Sequence, residues 1–148
     1  GATVPCIIIN RISQEKLTKA LLQKDVNFRI ITMNPSSQYV AQREIEEKET
    51  PGQIKNTIEQ LVSWADNLNR KGYEGKIVVK GYSCMTLDFY WRVDDEIYIG
   101  PYWYGLDSQK TISYKYKGGK GFEMYSDYFD KLWNDKDLLT SLTRRTKI

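Results

Sequence analysis

The spacing of hydrophobic residues at the start of the chain predicts two strands joined by a helix. Residues 7–9 (III) form a short apolar run typical of a buried strand. Ser13 is a candidate N-cap for a helix that extends to about Lys24. Three apolar residues share one face of that helix: Leu17, Ala20 and Leu21. Residues 27–33 (NFRIITM) favour a second strand, and residues 34–37 (NPSS) favour the turn that ends it.

The middle of the chain has the strongest helical pattern. Residues 43–49 are mostly charged and predict a solvated helix turn or loop. Residues 50–53 (TPGQ) have the form of a capping box with proline at the first helical position, so a helix is predicted to begin there. Gly72 marks its predicted end. Five apolar residues repeat along it with a period of 3.6: Ile54, Ile58, Leu61, Ala65 and Leu68.

The second half of the chain reads as strands followed by one helix. Residues 76–80 (KIVVK) predict a third strand, and residues 88–104 predict a hairpin that turns at residues 94–96 (DDE). Residues 111–117 alternate as a further strand, and residues 118–121 form a glycine-rich turn. A final helix is indicated by apolar residues at helical spacing: Phe122, Tyr125, Phe129, Leu132 and Trp133. The predicted class is therefore α/β, with a mixed β-sheet flanked by helices.

Length and composition fit one domain spanning residues 1–148, because 41% hydrophobic content can form a single core. The chain opens without methionine and passes directly into a strand-like run, which predicts a fragment of a longer protein with a further domain upstream. Residues 6–9 are the longest apolar run, far shorter than a membrane span, and no signal-peptide pattern is present. We therefore expect a cytoplasmic protein with no membrane partner.

The chain contains no histidine, and this absence narrows the chemistry more than any other feature of the composition. General acid–base catalysis, nucleophile activation and zinc sites all rely heavily on histidine, so we expect a non-enzyme without a cofactor. Cys6 and Cys84 are far apart in sequence and are read as reduced thiols. The acidic residues 94–96 fit a hairpin turn better than a metal site. A net charge of +3 is too small to indicate nucleic acid.

Nine tyrosine and tryptophan residues lie between positions 82 and 116, with Arg92 and Lys115 among them and Lys117 directly after them. Aromatic rings interleaved with basic residues suit planar ligands that bear phosphate. Strand alternation places Trp91 on the core side and Tyr90 with Arg92 on the opposite face. The candidate ligand-binding residues are Tyr90, Arg92, Tyr102, Tyr104, Lys115 and Lys117. The alternative is that the rings are core and ordinary strand residues.

A second candidate site follows the second predicted strand. Asn34, Ser36 and Ser37 are polar residues at the point where that strand ends. Ligands collect beyond the carboxyl ends of strands in open α/β sheets, so these side chains are candidates to donate hydrogen bonds to a phosphate. The alternative is a plain turn.

Three segments, taken in order, resemble a phospholipase-D-like domain. NFRIITMNPSS is similar to its strand followed by Asp/Asn-Pro-Ser, FYWRVDDEIYIG to its central hairpin, and KGFEMYSDYFDKLW to its terminal aromatic helix. The resemblance covers residues 13 to 133. More narrowly, the chain is similar to a divergent subfamily often found behind helix-turn-helix domains in bacterial regulators.

The chain departs from this family at the catalytic motif. Catalytic members carry His-x-Lys followed by Asp, whereas residues 87–93, which lead to Asp94, contain neither histidine nor lysine. The resemblance therefore implies that phosphodiesterase activity is absent and that a pocket near Tyr90 and Arg92 is retained. Members with a single motif commonly pair across that site, so the resemblance also implies a homodimer.

Two function classes remain. The first is a non-catalytic sensor for a phosphate-bearing small molecule, such as a nucleotide signal, that regulates an attached effector or DNA-binding domain in bacterial signalling. The alternative is a protein-interaction or dimerisation domain without a small-molecule ligand, since tyrosine and tryptophan are enriched at such surfaces. Nucleic-acid binding requires a contiguous basic stripe, and residues 144–147 (RRTK) are the single basic cluster in the sequence.

Overall fold

The structure is a computed structural model that describes residues 2–9, 15–85, 88–101 and 111–144. Those residues form a seven-stranded mixed sheet with helices on both faces. The strands are β1 (Thr3–Ile7), β2 (Asn27–Met33), β3 (Ile77–Tyr82), β4 (Asp88–Val93), β5 (Glu96–Pro101), β6 (Tyr114–Lys117) and β7 (Leu139–Ser141). The helices are α1 (Glu15–Gln23), α2 (Gln38–Glu46), α3 (Gln53–Arg70) and α4 (Gly119–Trp133). The α/β class with a mixed sheet is therefore confirmed.

The sheet has a parallel half and an antiparallel half. Its strand order is β6-β5-β4-β1-β2-β3-β7. Strands β1, β2 and β3 are parallel, joined first through α1 and then through α2 and α3. Strands β4, β5 and β6 form an antiparallel meander beside β1, and β7 pairs antiparallel with β3. The predicted hairpin at residues 94–96 joins β4 to β5, whereas β7 was not predicted because three residues carry too little pattern.

Helices α1 and α3 pack over the parallel half of the sheet. All five residues of the predicted α3 stripe are buried: Ile54, Ile58, Leu61, Ala65 and Leu68. The last three join Leu22 of α1 and apolar residues of β1, β2 and β3 in one core. The prediction that Leu17 lies on the buried face of α1 was wrong, because its side chain is 52% exposed. The buried residues of α1 are Thr18 and Leu22. Ser13, the predicted N-cap, lies outside the described residues.

Helix α4 packs across the other face of the sheet, because its aromatic residues recur every three or four positions. Its core contains Ile7, Ile31, Val78, Tyr90, Ile97, Ile99, Phe129, Trp133 and Leu139. The rings of Phe129 and Trp133 stack with centroids 5.9 Å apart. Within the described segments, no helix combines the length and apolar character needed to cross a membrane.

Residues 43–49 differ from the sequence expectation of a solvated segment. Most of that stretch belongs to α2, where Arg43 and Glu44 are only 2% and 5% exposed. Helix α3 begins where TPGQ predicted, but the predicted cap is wrong, because Gly52 occupies the N-cap with a φ of 87° and no side-chain hydrogen bond. The carboxylate of Glu44 caps α3 instead, accepting hydrogen bonds from the backbone N–H groups of Gly52 at 3.0 Å and Ile54 at 2.7 Å.

Candidate functional site

The predicted ligand-binding residues lie in three separate places. Tyr90 pairs with Ile99 across β4 and β5, on the face covered by α4, and Arg92 shares that face. Lys115 pairs with Tyr98, and Lys117 pairs with Glu96, on the opposite face. Asn34, Ser36 and Ser37 follow the carboxyl end of β2. Tyr102 and Tyr104 lie outside the described residues.

Tyr90 is a core residue. It is 0% exposed, and its ring stacks on Phe129 of α4 with centroids 5.4 Å apart. The structure therefore corrects the expectation of an accessible stacking surface at Tyr90: alternation identified the face, but α4 covers it. Burial raises the pKa of Tyr90 to about 12, although the nearby Arg92 guanidinium acts in the opposite direction. The hydroxyl lies close to Arg92 and Ser126 but has no hydrogen bond of adequate geometry.

Arg92 lies next to Tyr90 on the same face and remains partly exposed. Its Nη2 atom is 3.4 Å from Oδ1 of Asp130, and its Cζ atom lies 6.0 Å from the centroid of Phe129. The register of β1 with β4 places Pro5 beside Arg92, and Pro5 pairs with Arg29 on β2. Arg92 and Arg29 thus stand in one row, two strand spacings or about 10 Å apart.

Arg29 and Lys80 both contact Trp133, the last residue of α4. The guanidinium carbon of Arg29 lies 5.6 Å from the ring centroid, and Nζ of Lys80 lies 4.3 Å from it, within the range of cation–π attraction. Nζ of Lys80 also donates a 2.9 Å hydrogen bond to the backbone carbonyl of Trp133. We call Arg29, Lys80 and Arg92 the basic cluster. Three cationic side chains, from β2, β3 and β4, thus face the same helix.

Electrostatics within the basic cluster favour an added anion. Partial burial, and then repulsion from Arg29, lower the pKa of Lys80 below its ordinary value. The hydrogen-bond acceptor of Lys80 is a neutral carbonyl, which does not cancel its charge. A phosphate group placed between these side chains would relieve the repulsion and form charge-assisted hydrogen bonds. The basic cluster can therefore bind an anion.

The opposite face of β4, β5 and β6 presents a different set of residues. Trp91, Tyr98 and Lys115 pair in one row across the three strands, and Val93, Glu96 and Lys117 form the next row. Trp91 packs on the core beneath α1 and α3 as expected, but only in part, and Val93 is 43% exposed. A hydrogen bond from Tyr98 lowers the pKa of Glu96, and Lys115 and Lys117 contribute in the same direction. We call the six residues of these two rows the open face.

The polar residues after β2 hold a turn together. Nδ2 of Asn34 donates a 3.0 Å hydrogen bond to Oγ of Ser83, and Oδ1 accepts one of 3.0 Å from the backbone N–H of Ser36. Ser37 precedes α2, and its hydroxyl makes no capping hydrogen bond. These contacts are those of a turn, which was the alternative for this segment.

Nucleophilic and metal chemistry is sparse in the described part of the chain. No group of three or more Cys, Asp or Glu residues there is placed to hold a metal ion. Both cysteines are free thiols. Burial raises the pKa of Cys6 far above its ordinary value, so that thiol stays protonated and unreactive.

Comparison with protein-family models, curated proteins and solved structures found no match for this chain. The geometry therefore carries the functional argument. Sequence reasoning found Arg92 but missed Arg29 and Lys80, which complete the basic cluster. Their signal was a basic residue within the strand run NFRIITM and another at the end of the strand run KIVVK. Charged residues within buried strands are uncommon and carry a cost unless they are paired.

Proposed function

We propose that the chain is a non-catalytic, phospholipase-D-like domain that binds a phosphate-bearing small molecule, such as a nucleotide, at the basic cluster. Ligand binding there regulates an attached effector or DNA-binding domain in the bacterial cytoplasm. The observation that carries this proposal is the convergence of Arg29, Lys80 and Arg92 on one face of the sheet beside α4.

The chemistry of the three side chains suits phosphate. Two guanidinium groups offer planar, paired donors that match phosphate oxygens, and the ammonium group adds a compact charge. All three side chains are partly buried, so their field is screened less than that of surface lysines. The absence of histidine fits ligand binding without a phosphodiesterase step. The family assignment and a homodimer rest on the resemblance of the three sequence segments.

A thermal-shift experiment with inorganic pyrophosphate, ATP and cyclic nucleotides tests this function. We expect at least one of these to raise the melting temperature, because a ligand that binds the folded state stabilises it. Arg92→Ala and Lys80→Met should abolish the rise, and methionine preserves an apolar side chain over Trp133. Lys55→Ala is the control, since it removes one exposed positive charge from α3, which packs on the opposite face of the sheet, and should keep the rise. The proposal is wrong if no compound stabilises the protein, or if both cluster variants respond as the wild type does.

A dimerisation domain is the second candidate, favoured by exposed apolar side chains beside β6. Ile112 and Tyr114 are both more than two-fifths exposed, and β6 is an edge strand among those described. Edge strands offer unpaired backbone groups to a second chain. Light scattering over a concentration series tests this candidate. A dimer that Tyr114→Glu disrupts supports it, and a monomer at high concentration rejects it.

A further inference from the structure

The open face is a sheet surface that the helices leave uncovered. Helices α1 and α3 lie over β1, β2 and β3, and in the described segments no residue of β5 or β6 belongs to their core. Tyr98 is 39% exposed, and Lys115 and Lys117 are exposed beside it. This half of the sheet therefore presents side chains to solvent on the side opposite α4.

One row of the open face carries two aromatic rings and a lysine, and the next row carries a valine, a glutamate and a second lysine. Trp91, Tyr98 and Lys115 stand on adjacent strands, so neighbouring Cβ atoms are about 5 Å apart. Lys117 lies two residues beyond Lys115 on the same face. Two aromatic rings thus adjoin each other, with two ammonium groups along one border.

The rings are held in place before any ligand arrives. Trp91 packs against the core beneath α1 and α3, and the hydroxyl of Tyr98 donates a 2.6 Å hydrogen bond to Glu96. Such preorganisation reduces the entropy lost on binding. Glu96 offsets one of the two lysine charges, and the net charge of the face stays positive.

We propose that the open face binds single-stranded nucleic acid, with bases stacked on Trp91 and Tyr98 and phosphates paired with Lys115 and Lys117. Base stacking on aromatic side chains beside a positive track is the general mode of binding to single strands. Charge complementarity favours this occupant, because the row that holds the two rings ends on Lys115 and the neighbouring row ends on Lys117, and these two cations match a polyphosphate backbone. This site is separate from the basic cluster, and neither proposal depends on the other.

Fluorescence anisotropy with a labelled oligo-dT of about twelve nucleotides tests the proposal. We expect salt-dependent binding that Tyr98→Ala weakens about tenfold, the loss typical of one stacked base. Tyr128→Ala is the matched control, since Tyr128 is a tyrosine of α4 that is 48% exposed and lies away from the open face. It should leave the affinity unchanged. Circular dichroism establishes that each variant is folded.

The salt dependence gives a second readout. The double variant Lys115→Gln with Lys117→Gln should flatten the slope of log K against log salt by about 1.4, because each phosphate contact to a single strand contributes about 0.7. The control variant Lys16→Gln with Lys55→Gln removes two exposed charges from α1 and α3 and should leave the slope unchanged.

Three results would overturn the proposal. The first is no binding at low salt, and the second is equal loss of affinity in Tyr98→Ala and Tyr128→Ala. The third is a dimer in sedimentation analysis that Tyr98→Ala dissociates while the oligonucleotide stays unbound, which would show that a second copy covers the open face. Binding to duplex DNA as tight as to oligo-dT would reject stacking as well.

Discussion

The side chain of Glu44 and the backbone of Ile54 link α2 to the start of α3. One carboxylate oxygen of Glu44 accepts a 2.7 Å hydrogen bond from the Ile54 N–H and a 3.3 Å one from Lys55, and the other accepts from Gly52. The first N–H groups of a helix have no partner within it, and its positive end favours a carboxylate. Glu44 therefore supplies the cap that the local sequence of α3 lacks.

Removing this cap should destabilise the fold. We expect Glu44→Ala to lower the free energy of unfolding by about 2 kcal/mol, because buried donors lose a charged acceptor. Urea denaturation measures the change. Glu59→Ala, at an exposed position of α3, is the control and should change stability by less than about 0.5 kcal/mol. Equal stability of the two variants would show that the Glu44 cap contributes nothing.

Much of the fold was predictable where local pattern and tertiary structure agree. The α3 stripe and the β4–β5 hairpin followed from periodicity alone, because each buries one face against a single surface. The α3 cap was missed because its acceptor lies on the preceding helix, ten residues from Ile54. Likewise, the burial of Tyr90 depends on α4, which begins 29 residues later. The site was only partly predictable, since Arg29, Lys80 and Arg92 come from three different strands.

The hydroxyl of Tyr90 should contribute little to stability at neutral pH. It is buried without a hydrogen bond of adequate geometry, so its desolvation is uncompensated. We expect Tyr90→Phe to leave the free energy of unfolding unchanged or to raise it by about 1 kcal/mol. Tyr90→Ala should lower it by about 3 to 5 kcal/mol, because the ring that stacks on Phe129 is lost. Chemical denaturation of both variants checks this, and marked destabilisation by Tyr90→Phe would contradict it.

Ionisation of Tyr90 should lower the stability of the folded protein at alkaline pH. The pKa of Tyr90 rises from an ordinary value of 10.0 to about 12 in the folded protein, mainly through burial. The folded state therefore holds the phenolic proton more tightly, and stability present below pH 10 is lost as the pH rises towards 12. Denaturation midpoints from pH 9.5 to about 12 should fall less steeply for Tyr90→Phe than for the wild type. Parallel curves would contradict this assignment.

Arg92 should matter for ligand binding more than for folding. Its ion pair with Asp130 is 3.4 Å long and partly solvated, and such pairs contribute less than about 1 kcal/mol. We therefore expect Arg92→Ala to keep a cooperative unfolding transition within about 1 kcal/mol of the wild type. Urea denaturation without ligand measures this. A larger loss of unfolding free energy would show that Arg92 is needed for folding. Arg92→Ala would then not separate ligand binding from stability.

The ionisation of Lys80 gives the most direct test of an anion site in the basic cluster. Arg29 on β2, Trp133 on α4 and Ser141 on β7 face Lys80, and its pKa is held below the ordinary value of 10.5 by burial and by Arg29. NMR titration of the carbon-labelled lysine side chains, with and without saturating pyrophosphate, measures this pKa. Bound pyrophosphate should raise the pKa of Lys80, because a neighbouring anion favours the ammonium form. An unchanged pKa of Lys80 under saturating pyrophosphate would contradict phosphate binding at the basic cluster.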